Sequence, residues 1–154
     1  MKSIEDAVTS ESLPVSIDRV NGLDADALER IRADFPDHHW KLESANEFLA
    51  DKNNFLITSK DAERVVGILI GHRLARLDAA QAQVLLYEID VHPDFRKRGI
   101  GSAMIQELKN LAKESGASEV WVITNKSNEA AMQLYEATGG TTKHDDDVVF
   151  DFKL

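Results

Sequence analysis

The sequence predicts an α/β fold built on one mixed sheet, and three observations predict it. Segments that alternate apolar and polar residues with period two interleave with segments whose apolar residues recur every three or four positions. The resulting order is strand, two helices, three strands, helix, strand, helix and one or two closing strands. At 154 residues with 43% apolar content, the chain is long enough to bury one core.

Residues 1–13 carry no periodicity and are expected to form a flexible tail, leaving 14–154 as a single domain. Val15–Val20 alternates like a strand. Asp24–Phe35 places Leu28, Ile31 and Phe35 on one helical face, and Pro36 closes it. Ser44 and Glu47 match a capping box that would open a short helix through Phe48 and Leu49. The run from Asn54 to Asp78 reads as two strands joined by a polar turn over Ser59–Glu63. A turn near Asp78–Gln81 leads into a central strand, Val84–Val91. A helix follows from Gly99 to about Ser115, with Ile100, Met104, Leu108, Leu111 and Ala112 as its buried stripe and Gly116 as its stop. Glu119–Thr124 is the next strand. The run from Asn125 opens with capping-type residues, continues as a helix and stops at Gly139–Gly140, and Val148–Leu154 alternates as a last strand.

Val84–Gly116 is the most informative segment. An apolar strand passes through a Pro93 turn and a basic stretch, Arg96-Lys97-Arg98, into Gly99-Ile100-Gly101 and at once into a helix. Backbone N–H groups at a helix start lack intrahelical partners and carry partial positive charge, so such a junction suits phosphate. A Walker loop is excluded because no G-x-x-x-x-G-K-[ST] run occurs. The dinucleotide fingerprint fails because Met104 stands at its third glycine.

What remains, Arg96-x-x-Gly99-x-Gly101 after a strand and before a helix, resembles the coenzyme A pyrophosphate loop of the GCN5-related N-acetyltransferases (GNAT). The element order is similar over nearly the whole chain beyond Leu13. The resemblance implies a GNAT fold: a mixed, mostly antiparallel central sheet with a splayed parallel strand pair, flanked by about four helices. It implies acetyl-CoA as donor, held by Arg96, Lys97, Arg98, Gly99, Ile100, Gly101 and Ser102. The pantetheine arm would lie along the main chain at Ile89 and Val91, with the Ile89 N–H as donor to the thioester oxygen. The run Asn128-x-x-Ala131-x-x-Leu134-Tyr135-Glu136 resembles the family's late helix. On that basis Asn128 contacts the pantetheine arm, and Tyr135 is a coenzyme contact that protonates the departing thiolate.

Amine acetylation also needs a base. Glu88 and Asp90 lie two apart on the otherwise apolar central strand, hence on one face. A buried carboxylate pair is costly without partners, and two such groups suit a base working near neutrality. Glu88 is the expected general base, with Asp90 positioning the amine.

More local features are similar to the aminoglycoside 3-N-acetyltransferases of the gentamicin and fortimicin type: Phe48-Leu49, Val65-Val66-Gly67, Tyr87–Val91 and Val149-Phe150-Asp151-Phe152. Three departures are visible. Glu stands at 88 instead of Asp, Asp90 is an additional charge, and Asp145–Asp147 looks inserted. The expected acceptor is an aminoglycoside amine, with the 3-amino group implied by the resemblance. Glu88, Asp90, Asp147 and Asp151 would bind this small cationic amine. A polyamine, another small amine or a protein lysine is the alternative acceptor, and a non-catalytic acyl-CoA-binding module is the alternative class.

Charge and composition fit this reading. With 27 acidic and 18 basic residues the net charge is −9, which disfavours nucleic acid and suits a cationic substrate. The absence of cysteine leaves neither a disulfide framework nor a thiolate metal site, and disfavours a cysteine-borne acetyl intermediate. The reaction is therefore expected to run by direct attack in a ternary complex. His38 and His39 are adjacent and no H-E-x-x-H occurs, so no metal is expected. No run approaches the roughly 20 apolar residues of a membrane span. The acidic N-terminus does not read as a signal peptide, and a cytoplasmic location is expected. The resemblance further implies a homodimer.

Overall fold

The computed structural model describes residues 15–144 and 146–154. The expected tail over residues 1–13 and Asp145 of the acidic loop lie outside them. The chain forms two compact units, one ending at Ile123 and one spanning Thr124–Leu154.

The first unit holds β1 (Ser16–Arg19), α1 (Ala25–Asp34), α2 (Leu42–Ala50), β2 (Asn54–Asp61), β3 (Arg64–Leu74) and β4 (Ala82–Val91). After these come a 3-10 turn (Pro93–Phe95), α3 (Ile100–Glu114) and β5 (Ala117–Val122). The second holds α4 (Glu129–Ala137). The five strands lie in the order β1-β2-β3-β4-β5. The first three pairings are antiparallel, and β4 with β5 is parallel. This is an α/β fold with a mixed sheet and four helices.

Helices cover both faces of the sheet, which explains why β3 is apolar at every position from Val65 to Ile70 rather than alternating. On one face Ile31 and Phe35 of α1 close over Val65 and Ile68, with Leu23 and Trp40 at the margin. On the other, α3 lies so near β3 that side chains there would collide. A Cβ on Gly67 would stand 2.9 Å from Met104 Cε, and one on Gly71 3.0 Å from Leu108 Cδ1. The predicted α3 stripe is buried, and Ile105 joins it.

Capping sets the helix ends. Asp24 accepts from Ala27 N–H at 2.7 Å to start α1. Gly116, at φ 79°, follows the C-terminus of α3 in the left-handed conformation that glycine tolerates best.

Several expectations need correction. Helix α2 begins at Leu42 with Lys41 at its N-cap and no side-chain cap, so Ser44 lies inside the first turn and the capping box does not form. The Ser59–Glu63 turn shrinks to Ala62-Glu63, with Ala62 at φ 52°; Ser59 is buried in β2. Polar Thr58 and Ser59 read as turn residues, yet the register opposite Ile68 and Gly67 carries the ladder through them. Strand β5 starts at Ala117 and ends at Val122, two residues earlier than expected at each end. Val148–Leu154 forms no strand, and Val148, Phe150 and Phe152 are exposed. Alternation prescribes which side chains would share a face but supplies no ladder partner, and a strand exists only with one.

Candidate active site

The geometry of the site begins with an interruption in the sheet. β5 pairs with β4 only from Ala82 to Leu86, while β3 accompanies β4 to Val91. The β5-side edge of β4 is therefore open from Tyr87 to Val91. The main-chain groups that face it follow from the ladder. His92 N–H donates to Val66 C=O at 2.9 Å, so it points toward β3. Successive residues alternate in direction. Glu88 and Asp90 thus face β3 with their main chain, and Ile89 and Val91 face the open edge. Arg96 Nε donates to Val91 C=O at 2.8 Å from that side.

A bulge lies just before this stretch. Glu88 is in register with Ile70 but Leu86 with Gly71, which leaves Tyr87 as the extra residue. Bulges bend a strand and re-aim its side chains. Tyr87 is exposed, its ring edge-on to His72 at 5.5 Å. His72 in turn meets Phe48 of α2 at 5.5 Å.

Glu88 and Asp90 are not the buried, mutually interacting pair expected from the sequence. Their side chains are 38% and 41% exposed, and each has its own partner. Glu88 Oε1 lies 3.5 Å from His38 Nε2, and Asp90 Oδ1 lies 3.4 Å from Arg96 Nη2. The strand is apolar because of its other neighbours, while these two positions open toward a cleft that also admits α1-α2 loop residues. The sequence suggests only a metal role for His38 to consider and reject; nothing in its neighbourhood along the chain shows that the loop after α1 folds back over β4. Among the described residues no group of three or more His, Cys, Asp or Glu could hold a metal ion.

The basic loop is held in shape by its own contacts. His92 caps the 3-10 turn by accepting from Asp94 N–H and meets Arg64 Nη2 at 3.0 Å through its other ring nitrogen. The guanidiniums of Arg64 and Arg98 sit over the Phe95 ring at 5.3 and 5.0 Å. Arg98 also donates to Asp94 C=O at 2.8 Å. Lys97 and Gly99 take left-handed conformations at φ 59° and 80°. Gly99 is the N-cap of α3, and no side chain caps that end. The first helical bond there runs from Ala103 N–H to Gly99 C=O, so the N–H groups of Ile100, Gly101 and Ser102 precede the helical ladder. Gly101 is buried and Arg96, Lys97 and Arg98 are exposed.

A cavity of about 450 Å³ lies between α2, the loop before it and the sheet. Trp40, Phe48, Leu49, Leu56 and Ile70 form its walls, and His39, Lys41 and Ser44 its polar margin. Trp40 also meets the His38 ring at 5.3 Å.

In the second unit, Asn128 caps α4 by accepting from Ala131 N–H at 3.2 Å. Tyr135 is half-buried, and burial pushes its phenol above the ordinary value, so the hydroxyl is protonated at neutral pH. Asp147 and Asp151 are exposed in a stretch without regular structure. Gly140 packs against the Tyr135 main chain, where a Cβ would stand 2.9 Å from its carbonyl oxygen.

The model of the acetyltransferase (GNAT) family matches residues 24–139. The chain belongs to this family. N-alpha-acetyltransferase RimI of Mycobacterium tuberculosis is 27% identical over 134 residues, covering 86% of this chain and 82% of that protein. An uncharacterized protein of Mycobacterium leprae is 25% identical over the same share of this chain, which spans only 36% of that relative's length. Among solved structures, an aminoglycoside acetyltransferase from an uncultured soil metagenomic sample, in complex with sisomicin, superposes with a TM-score of 0.79. It has 20% identity and covers 91% of this chain and 96% of the other. The aminoglycoside acetyltransferase AAC(6')-Iy, bound to a bisubstrate analogue of coenzyme A, gives 0.74 at 19% identity, covering 91% and 98%. At these identities the structural likeness speaks for the fold. The GNAT chain described here thus combines the family's sheet with an open β4 edge and an uncapped, basic entrance to α3.

Proposed function

We propose that this GNAT protein acetylates a primary amine by direct attack, the amine losing its proton to Glu88. The observation that carries the reading is the position of Glu88. Its carboxylate stands beside the one stretch of β4 that β5 leaves open, next to Ile89, whose main-chain groups face that opening.

The residues present fit acetyl-CoA. Its pyrophosphate matches the uncapped α3 start with Gly99, Ile100, Gly101 and Ser102, and the exposed Arg96, Lys97 and Arg98 add positive charge. Bound there, it would supply an activated acetyl thioester. Ile89 and Val91 would bond the pantetheine arm as an added strand does, and the Ile89 N–H would favour charge developing on an acyl oxygen. Arg96 is held by Val91 and Asp90, so it orients the loop as well as charging it. Glu88 accepts the amine proton directly or through one water and becomes the neutral acid, with His38 Nε2 3.5 Å away to orient the carboxyl group. Asp90 orients the ammonium before it is deprotonated. Tyr135, protonated at neutral pH, would return a proton to the departing sulfur, and Asn128 would contact the arm.

Two acceptor classes have support. The aminoglycoside class, with the 3-amino group as the sequence resemblance suggests, is supported by the solved neighbours and by the net charge of −9. Asp147 and Asp151 would belong to the acidic rim this class needs. A single amine flanked by an uncharged group is favoured by a different observation: the cavity adjoining Glu88 is walled by apolar and aromatic side chains. The decisive experiment is release of free thiol from acetyl-CoA with gentamicin, spermidine, a lysine peptide and a peptide N-terminus as acceptors. Turnover of at least one amine, lost in Glu88→Gln, supports the proposal; tight coenzyme binding with no turnover on any of them would replace it with the binding-module reading.

A further inference from the structure

The acceptor's neighbouring group can be read from the cavity. Ile70 is in register with Glu88, so their Cα atoms stand roughly 5 Å apart across the ladder. Ile70 is also part of the cavity wall. It is only half-buried, whereas Ile68 and Leu69 beside it are fully buried. A second link joins the two places from above: Trp40, another wall residue, meets His38, which meets Glu88. Glu88 is therefore a ladder neighbour of one wall residue and is linked through His38 to another.

The chamber has the size of a ligand site rather than a packing defect: about 450 Å³ falls within the roughly 300–1,000 Å³ of small-molecule pockets. Its chemistry is selective. Trp40, Phe48, Leu49 and Leu56 present chiefly apolar surface, the Trp40 indole N–H and the two aromatic ring faces being their polar resources, and no carboxylate stands among the described residues that line it. Its cationic margin, Lys41, opposes a second positive charge. A polyhydroxylated polycation would leave its polar groups unsatisfied there.

We infer that the cavity between α2 and the β2–β3 sheet face is a specificity pocket, and that the acceptor is a primary amine carrying one aromatic or branched aliphatic group two or three bonds from its nitrogen. The amine stands at Glu88 while that group fills the space between Trp40, Phe48 and Leu56. Both an apolar N-terminal residue of a peptide and a free arylalkylamine have this chemistry. This inference rests on the reading that the amine is deprotonated at Glu88.

The test compares phenethylamine, phenylalanine amide and a tetrapeptide beginning with phenylalanine against ethanolamine, glycinamide and gentamicin. Burying a side chain of this size favours binding by about 1.5–3 kcal/mol. The apolar-bearing amines should accordingly exceed their small polar counterparts by about 10- to 100-fold in kcat/KM. Ser44→Trp, which fills the pocket from its exposed margin, should collapse that ratio by at least 10-fold; Ala45→Phe on the next residue is the second variant. Binding gives a readout independent of turnover: phenethylamine should perturb Trp40 fluorescence at concentrations where ethanolamine does not, and Trp40→Phe should abolish the signal. A higher rate for the tetrapeptide than for phenethylamine identifies the peptide source, and the reverse identifies the free amine. Equal kcat/KM for glycinamide and phenylalanine amide, or preference for gentamicin, overturns the pocket assignment while leaving Glu88 as base. No turnover on any amine removes the function on which the assignment rests, and the assignment with it.

Discussion

Replacing Glu88 by glutamine isolates proton removal from everything else this position does. Glutamine keeps the shape and the hydrogen-bonding reach but cannot take a proton at neutral pH. Loss of a general base lowers turnover by about 10²- to 10⁴-fold, which is about 2.7–5.4 kcal/mol at 1.36 kcal/mol per decade. The structure narrows this range. The carboxylate is 38% exposed, and its 3.5 Å separation from His38 Nε2 is longer than a direct hydrogen bond. Water therefore reaches the site and can relieve part of the deficit. The expected loss lies in the lower half of the range, about 10²- to 10³-fold or about 2.7–4.1 kcal/mol. His38→Gln should cost about 10-fold, and the double variant should lose less than the product of the two, because both act on one proton. The assay is thiol release from acetyl-CoA with saturating amine between about pH 6 and 9, where the variant should stay slow throughout. Coenzyme affinity, measured separately by calorimetry, should stay within about twofold, since Glu88 faces the acceptor side. Undiminished turnover across that pH span would remove Glu88 from the reaction.

Three further variants test other parts of the molecule. Tyr135→Phe should slow thioester turnover with coenzyme affinity nearly unchanged; equal turnover would leave Tyr135 a packing residue. The same variant has a stability signature. Burial raises the phenol's value in the fold, so its contribution is full below the unfolded value near 10 and is lost as pH rises through the folded one. Urea midpoints of Tyr135→Phe should thus fall less than wild type above about pH 10. Gly99→Val forces a branched side chain into φ 80° at the start of α3. Strain of about 1–2 kcal/mol should distort the loop and weaken coenzyme binding by roughly 5- to 30-fold, read by calorimetry; unchanged affinity would mean the loop is not the anion site. Leu108→Ala empties a fully buried position beneath β3 and should cost about 2.7–5 kcal/mol in urea unfolding, against little loss if the site collapses.

The elements that could be read from the chain were those whose cause is local. The α3 stripe and the Gly116 stop each follow from spacing or backbone freedom within a few residues. The basic glycine loop was equally legible, because an anion site at a helix start is a short-range arrangement. Ser44 misled because a capping pattern is only one of several ways to begin a helix, and α2 started without it. Val148–Leu154 misled because its alternation is real but unpaired.

The acceptor side was illegible for a different reason. His38, Trp40, Phe48, Ile70 and Glu88 are spread over about a third of the chain, and their neighbourhood is created by the register of β3 on β4 and the seating of the loop after α1. Alternation correctly put Glu88 and Asp90 on one face, but it could not say that each would meet a separate partner in a partly open cleft. The sequence by itself determined the family, most of the helices and strands and the basic glycine turn into α3, since periodicity and glycine conformations act over a turn or two of backbone. Tertiary structure alone decided where β5 leaves β4, which imidazole faces Glu88 and what lines the cavity beside Ile70, since those depend on contacts between residues that only the completed sheet brings together.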